Sequence, residues 1–263
     1  MSGRRELSRR GLLGVLAGSG AALAFGCGGN AVIDGSDGGG GSGGSGGGTA
    51  ASTGTGTGTC AVTPEGEIGP YFTDDSAAGY NRSNIVANLD GTQVQVGLAL
   101  TLTVTVVDTE MGCAPYVGAQ VDIWHCNAAG VYSNEAGEST TGESWLRGYQ
   151  LTDASGQVTF TTVIPGWYAG RTTHIHLRVR SSYSDVSSTS DGTNTTQLFF
   201  DQTLVDTLAT SVAPYSTEGT NPTTNASDRV YAVQTMGEML MTLSGDGTSG
   251  YTAKATVGLP IKG

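Results

Sequence analysis

The chain has 263 residues, with only twelve lysine and arginine against 23 aspartate and glutamate, so its formal net charge is -11. Four of the twelve basic residues lie within the first ten positions, so the rest of the chain is more acidic still. This balance argues against a nucleic-acid partner.

The N-terminus combines paired basic residues with a short apolar run. Arg9 and Arg10 precede an apolar stretch that ends at Phe25, which is too short for a membrane-spanning helix. We predict a signal peptide over residues 1–27, and the paired arginines resemble a twin-arginine signal. Cys27 is a candidate for lipidation, with cleavage elsewhere as the alternative. We therefore expect export to the cell envelope or the exterior.

Residues 28–59 are almost entirely Gly, Ser, Thr and Ala. Such a segment has too little apolar surface to offset chain entropy, so we predict a disordered tether. The remainder, 60–263, is roughly 200 residues long and suits one domain with a single core.

The predicted domain shows strand periodicity and little helical patterning. Short stretches alternate apolar residues with threonine or other polar residues, and Gly-rich turns separate them. This pattern predicts an all-β, antiparallel β-sandwich. The expected strands cover residues 100–106, 119–124, 157–163, 174–179 and 196–200.

Three cysteines lie in the predicted domain, namely Cys60, Cys113 and Cys126. An oxidising exterior would permit one disulfide and leave one thiol. We favour pairing of Cys60 with Cys113, because Cys126 lies in an apolar, strand-like context. Sequence alone does not exclude the other pairings.

A His-x-His pair is the first candidate for chemistry. Residues i and i+2 of a strand project to one face, so His174 and His176 are expected side by side. By itself such a pair fits either a metal site or two surface residues. His125, the third histidine, has Trp124 and Cys126 as neighbours, which favours packing over metal binding.

Two tyrosines change the interpretation of the histidine pair. Tyr168 precedes His174 by six residues across a glycine-containing turn, and Tyr132 follows a strand that runs into a turn. Two phenolates and two imidazoles suit a hard, highly charged ion, and a trivalent metal can hold phenols deprotonated. Iron(III) fits this demand, whereas copper on the histidines alone would leave the tyrosines unused.

Four segments together resemble the intradiol ring-cleavage dioxygenases, a family that includes protocatechuate 3,4-dioxygenase and catechol 1,2-dioxygenase. The similarity extends over residues 63–201, in the family's order. It is carried by Gly-Pro-Tyr-Phe at 69–72, by the strand and turn at 122–133, by 146–153, and by the segment from Pro-Gly-Trp-Tyr to His-Ile-His at 165–176.

This resemblance implies an iron(III) centre and assigns a role to each matching position. The iron ligands would be Tyr132, Tyr168, His174 and His176. Arg171 and Gln197 would face the substrate, although Arg171 could instead form a structural ion pair and Gln197 could bond a backbone group. Gly69 and Pro70 would line the substrate pocket.

The activity implied by the resemblance is cleavage of a catechol ring between its two hydroxyls, with O2, to a cis,cis-muconate-type diacid. Tyr168 would leave the metal and act as a base. The spacing between Tyr168 and His174 is shorter than in the cytoplasmic enzymes, which predicts a more open site for a bulkier catechol. The alternative is a non-catalytic exported β-sandwich that binds a ligand. The sequence does not indicate the oligomeric state.

Overall fold

We describe a computed structural model of the chain over residues 60–74, 79–180, 194–233 and 239–260. The predicted signal peptide, Cys27 and the tether lie outside these residues. Within the described part, no helix has both the length and the apolar character that crossing a membrane requires.

Nine strands form two sheets in the part of the chain that the structure describes, and the all-β expectation is confirmed. The first sheet has the order β2-β1-β9-β8, with β5 also paired to β1, and the second has the order β4-β3-β6-β7. In chain order the strands are β1 (Ala99–Asp108), β2 (Ala114–Pro115), β3 (Gln120–Trp124), β4 (Arg147–Leu151), β5 (Gln157–Val163), β6 (His174–Arg180), β7 (Asn194–Phe199), β8 (Thr242–Asp246) and β9 (Gly250–Leu259).

The first sheet is amphipathic along β1. Leu100, Leu102 and Val104 are fully buried, while Thr101 is exposed and Thr103 half-buried on the opposite face. This alternation packs one face against the core and leaves the other in solvent.

One pairing differs from the predicted antiparallel arrangement. β1 pairs with β5 in antiparallel orientation but with β9 in parallel orientation. A parallel pair needs a crossover connection, and the long path through the second sheet and its helices supplies it. Among the described strands, the predicted sandwich is therefore antiparallel except at this pair.

The second sheet is antiparallel throughout, and its strand β6 is buried on both faces. Ile175, Leu177 and Val179 belong to the main hydrophobic core. His174 and His176 alternate with them and therefore project from the opposite face, which loops cover.

Two α-helices among the described residues were not predicted from the sequence. α1 (Gln202–Ser211) begins after Asp201, whose side chain accepts a hydrogen bond from the Leu204 amide. It buries Val205, Leu208 and Ala209 against the core. The short helix α2 (Arg229–Val233) follows Asp228.

A disulfide joins Cys60 to Cys113, with their Cα atoms 5.7 Å apart. This is the pairing that the sequence favoured. Cys126 is a buried thiol whose Sγ donates to the Gly166 carbonyl at 3.6 Å.

Residues 60–74 form a segment, here called the roof segment, that runs from the first sheet to the second. Near its start, Thr63 exchanges hydrogen bonds with Gly258 of β9, the Thr63 amide donating at 2.8 Å and the Thr63 hydroxyl accepting at 2.9 Å. Further along, the Gly66 amide donates to the Thr195 carbonyl of β7 at 2.7 Å. The segment is thus fixed at both sheets before it reaches the histidine face.

Candidate metal centre

The two histidines of β6 point their Nε2 atoms at one another. His174 Nδ1 lies 2.6 Å from the Thr172 carbonyl, which can only accept, so Nδ1 carries the proton and the Nε2 lone pair is available. His174 Nε2 lies 3.1 Å from His176 Nε2. Because both rings are fully buried, this pair of nitrogens marks a point where an electron-pair acceptor would fit.

Two packed turns bring the tyrosines to the same point. The turn before Tyr132 touches the turn before Tyr168 so closely that a Cβ at Gly130, where φ is +78°, would overlap the Trp167 carbonyl. As a result the rings of Tyr132 and Tyr168 lie 5.7 Å apart, and the Tyr168 hydroxyl lies 3.4 Å from His174 Nε2. The structure therefore brings together all four predicted ligands.

Burial keeps all four side chains neutral. It raises the pKa of Tyr132 well above its usual value and that of Tyr168 to about 12. It also lowers the pKa of His174 to about 3 and that of His176 well below its usual range, where neighbouring His174 adds to the effect. A bound cation is what such phenols would need in order to ionise.

The Tyr132 hydroxyl provides a test of whether these residues fit a metal. It is buried and makes no hydrogen bond of normal geometry, although the Tyr168 hydroxyl lies near it and buried polar atoms are normally paired. The described residues contain no cluster of three or more His, Cys, Asp or Glu side chains. A metal here would therefore be held by two imidazoles and two phenols, a donor set that fits iron(III).

Aromatic rings pack around the four side chains. Trp124 stacks on His176 with centroids 4.8 Å apart and planes 8° apart, and Tyr71 stacks on Tyr132 at 4.3 Å and 20°. Tyr71 also meets Tyr168 edge-on at 5.6 Å. Trp124 therefore packs under the site, while Tyr71 is a neighbour that the residue pattern did not single out.

Arg147 holds the roof segment against the Tyr132 turn. Its guanidinium donates to the Ser133 hydroxyl at 2.8 Å, to the Ser133 carbonyl at 2.7 Å and to the Tyr71 carbonyl at 2.7 Å. The side chain is buried, so these bonds fix Tyr71 in its stacked position over Tyr132.

Glycine is needed where the roof segment crosses His176. At Gly69, φ is +72°, and a Cβ there would lie 2.9 Å from His176 Cε1. The predicted pocket residue Gly69 thus lies directly over a predicted ligand. Pro70 follows at an exposed position.

Arg171 and Gln197 lie beside the tyrosine–histidine cluster and bond each other. Arg171 donates from a terminal nitrogen to Gln197 Oε1, and from Nε to Asp228 Oδ2 at 2.8 Å. Gln197 Nε2 donates to the Glu67 carbonyl of the roof segment at 2.8 Å. The alternatives left open by the sequence, an ion pair for Arg171 and a backbone bond for Gln197, both occur in the structure.

Asp228 is the most heavily bonded group that the sequence did not reveal. Its buried carboxylate accepts the Arg171 side chain and the amides of Thr172, Val230 and Tyr231. Burial raises the pKa of Asp228, but the bonds from Arg171 and the backbone amides outweigh it and leave that pKa below its usual value. No local motif indicates this contact, because Asp228 and Arg171 are 57 residues apart.

The remaining histidine has a structural environment. His125 Nδ1 lies 2.8 Å from the Cys126 carbonyl, and Nε2 lies 2.8 Å from the Thr162 hydroxyl. Burial lowers the pKa of His125 to about 4. Both ring nitrogens are therefore satisfied within the fold, as expected for a packing residue.

Fold and site together define a β-sandwich with a mixed imidazole and phenol centre on one sheet. A family model described as dioxygenase matches residues 68–234. The chain belongs to the intradiol ring-cleavage dioxygenase family.

Two solved structures are similar to this chain over most of their length. An intradiol ring-cleavage dioxygenase from Tetranychus urticae shares 27% identity, with a TM-score of 0.63 over 77% of this chain and 96% of that one. The dioxygenase domain of a dioxygenase and carbohydrate-binding protein fusion from Streptomyces sp. SirexAA-E shares 27% identity, with a TM-score of 0.53 over 77% of this chain and 100% of that one.

A characterised relative matches over a shorter region. Catechol 1,2-dioxygenase of Candida albicans is 33% identical over 135 residues, which are 44% of this chain and 42% of that protein. The aligned region therefore spans less than half the length of that relative.

Proposed function

We propose that this domain uses iron(III) and O2 to open a catechol-type ring between its two hydroxyls, giving a cis,cis-muconate-type diacid. Tyr132, Tyr168, His174 and His176 would hold the iron. One observation carries the proposal: the two Nε2 atoms face each other at 3.1 Å while the nearby Tyr132 hydroxyl is buried without a hydrogen bond of normal geometry. Family membership supports the same reaction class.

The bound iron would supply a Lewis acid that ionises the phenols and makes a catecholate reactive toward O2. Around it, the chain's own residues bind and orient. Trp124 and Tyr71 stack against His176 and Tyr132 respectively and restrict the two rings. These contacts hold the ligands in one geometry before substrate arrives.

The two tyrosines differ in exposure, which suggests different roles. Tyr132 is only 2% exposed and stacked on Tyr71, whereas Tyr168 is half-buried and follows a glycine-containing turn. Tyr168 is therefore the side chain that can move. We infer that its phenolate oxygen accepts a proton from a catechol hydroxyl and that Tyr132 stays in place.

Arg171 would stabilise the negative charge that develops on the bound ring during the reaction. Its guanidinium is permanently charged and is held by Asp228 and Gln197. Gln197 contributes indirectly, because it fixes both Arg171 and the Glu67 carbonyl of the roof segment.

The visible spectrum of the iron-loaded protein tests the metal and the reaction together. We expect a tyrosinate-to-iron(III) absorption band that shifts when catechol is added, with one O2 consumed per ring opened. Tyr132→Phe and Tyr168→Phe should each alter the band, whereas Tyr251→Phe in β9 should leave it as it is. A colourless protein with a full complement of iron would contradict the ligand assignment.

The alternative is a β-sandwich that binds a ligand without turnover, since one fold hosts many functions. It would bind catechol under air without consuming O2, and the same oxygen measurement would detect this. The combination of the four ligands with Arg171 favours the enzyme.

We also propose that the protein is exported and that Cys27 anchors it to a membrane through a lipid. The basic and apolar N-terminus supports this. Fractionation of cells that express the full chain should find it with the membrane, and Cys27→Ser should release it. Recovery of both forms in the cytoplasm would contradict the proposal.

A further inference from the structure

The basic residues of this chain are few enough to be followed one by one. Twelve are present, and four of them lie in the first ten residues, which leaves eight. Seven of the eight lie among the described residues, and Lys262 is the exception. They are Arg82, Arg147, Arg171, Arg178, Arg180, Arg229 and Lys254.

The two arginines that border the site each have a carboxylate partner. Arg171 pairs with the buried Asp228 at 2.8 Å. Arg229 makes a two-pronged ion pair with Glu67 of the roof segment, including a bond of 2.7 Å from its second terminal nitrogen to Oε2. Both pairs are therefore electrically balanced.

The pair of Glu67 and Arg229 lies at the edge of the site. The Glu67 carbonyl accepts the bond from Gln197, and Gly69 over His176 is two residues further along the chain. Glu67 raises the pKa of Arg229 most strongly, and Tyr168 contributes more weakly. Both side chains remain open to solvent, with 47% of Glu67 and 68% of Arg229 exposed.

Carboxylates also lie near the arginines on β6 beyond the histidines. Arg180 pairs with Asp122 at 3.2 Å and with Asp74 at 3.4 Å. Arg178 lies opposite Asp122 in the sheet, and its guanidinium is 5.2 Å from the centre of the Phe72 ring. Both arginines are buried beneath the roof segment.

Two of the other described cations bond neutral groups of the fold, and the third lies on the first sheet. Arg147 donates to Ser133 and to the Tyr71 carbonyl, and Arg82 donates to backbone carbonyls of residues 87, 144 and 147. Lys254 lies on β9 of the first sheet. On the other side of the site, burial and then Glu138 and Glu135 raise the pKa of Tyr71, so acidic groups lie nearby.

A carboxylate on the substrate ring would therefore meet, in the two arginines that border the site, guanidinium groups that already pair with the carboxylates of Asp228 and Glu67. Placing a charge in a partly buried site without a partner is costly. The net charge of -11 further disfavours the approach of an anion.

We propose that the site selects catechols whose ring carries no anionic substituent, and that Glu67 contributes to this selection by neutralising Arg229. The inference rests on the proposed ring-cleavage function. It assigns the substrate class to uncharged catechols and excludes dihydroxybenzoates.

Two probes of matched size test the selection. The two compounds differ at one ring position. 4-Methylcatechol carries a neutral methyl group there, and 3,4-dihydroxybenzoate carries an anionic carboxylate. Affinity would be measured under argon by the shift of the visible band of the full iron-loaded chain, and turnover by O2 uptake. We expect 4-methylcatechol to be preferred by roughly 100-fold in affinity and in kcat/KM.

Glu67→Gln tests whether the ion pair sets this preference. The variant keeps the backbone carbonyl that Gln197 uses but removes the charge that pairs with Arg229. The preference for 4-methylcatechol over 3,4-dihydroxybenzoate should therefore fall by about 10-fold. Glu110→Gln removes the same charge from an exposed turn after β1 and should leave the ratio as in the wild type. A double variant, Glu67→Gln with Arg229→Gln, should restore the original preference.

The outcomes separate this inference from the proposed function. Equal affinity and turnover for the two probes in the wild type would overturn the inference while the ring-cleavage function stood. Binding without O2 uptake for every probe would overturn the function, and the ratio of affinities would still report on the charge selection. If Glu67→Gln left the ratio of affinities for the two probes unchanged, Glu67 would have no part in the selection.

Discussion

β1 in the first sheet and β6 in the second are both central strands, but their surroundings differ. β1 buries one face and leaves the other, with Thr101 and Thr103, at least partly in solvent. Every residue of β6 is buried, because the roof segment and the tyrosine turns cover its polar face. The first sheet has one packed layer on it, and the second has two.

Because of this difference, the core between the sheets mainly stabilises the fold, and the covered face of the second sheet carries the groups for chemistry. The core between the sheets is apolar, whereas the covered face of the second sheet holds imidazoles, phenols and arginines. Buried polar groups contribute little to folding unless they are paired. We therefore expect substitutions in the covered face to affect function first, and substitutions in the shared core to affect folding first.

The largest expected effect is on the covered face. His176→Ala should abolish iron retention and lower kcat/KM by at least about 1000-fold. The fold should persist, because Ile175 and Leu177 still anchor β6 in the core. Iron analysis and circular dichroism measure the two effects. His125→Gln changes an equally buried histidine and should retain iron. Loss of iron in this variant would contradict the assignment of His176 as a ligand and His125 as a packing residue.

Removal of the disulfide that holds the start of the roof segment should have the next largest effect, and this effect is on stability. Replacing Cys60 and Cys113 by serine opens a loop with a sequence separation of 53 residues. Loop entropy predicts a loss of about 4 kcal/mol in unfolding free energy. Urea unfolding would measure it, and treatment of the wild type with a reductant should reproduce the loss. If the urea midpoint did not change, the hydrogen bonds of Thr63 and Gly66 would be sufficient to hold the roof segment without the disulfide.

Substitutions in the first sheet should lower stability without changing the metal centre, which is the reverse of the result expected for the covered face. Leu102→Ala removes a fully buried side chain and should cost about 3 kcal/mol of unfolding free energy. Thr103→Ala, on the solvent side of the same strand, should cost less than about 0.5 kcal/mol. Neither change should alter the visible band of the folded, iron-loaded protein. A shifted band in either variant would mean that the sheets are more tightly coupled than their packing suggests.

Asp228 should contribute less to folding than Leu102, and its contribution depends on pH. The folded pKa of Asp228 is lowered, so its contribution to stability is complete above the usual aspartate value and is lost as pH falls through the folded value. Asp228→Asn should cost about 2 kcal/mol at neutral pH and approach the wild type in acid.

The same variant should reduce kcat/KM by about 10-fold, because Arg171 loses the partner that orients it. Asp201→Asn, which makes the same replacement at the cap of α1, is the matched control and should leave kcat/KM as in the wild type. Equal losses of activity in the two variants would argue for a general structural effect.

The sequence was informative where function depends on local spacing. Alternation along a strand predicts that His174 and His176 share a face, and the tyrosine turns lie close to them in the chain. β1 and β5 were also predicted, because apolar residues and threonine alternate in both.

Other features depend on long-range contacts and left no local pattern. Asp228 reaches Arg171 across 57 residues, and Tyr71 reaches Tyr132 from the roof segment. β4 reads Arg-Gly-Tyr-Gln-Leu and shows no clear alternation, so it was not predicted as a strand. α1 could have been found from Asp201 as a cap with Leu204, Val205 and Leu208 at helical spacing.

The edges of the first sheet bear on how the protein behaves at high concentration. Edge strand β8 is only five residues long and ends in Gly245 and Asp246, while the Ser83 carbonyl and the Ile85 amide bond Thr161 along the outer edge of β5. Short, charged or covered edges give an incoming strand little to pair with. These edges therefore limit strand-to-strand aggregation, which would matter most for copies crowded on one surface.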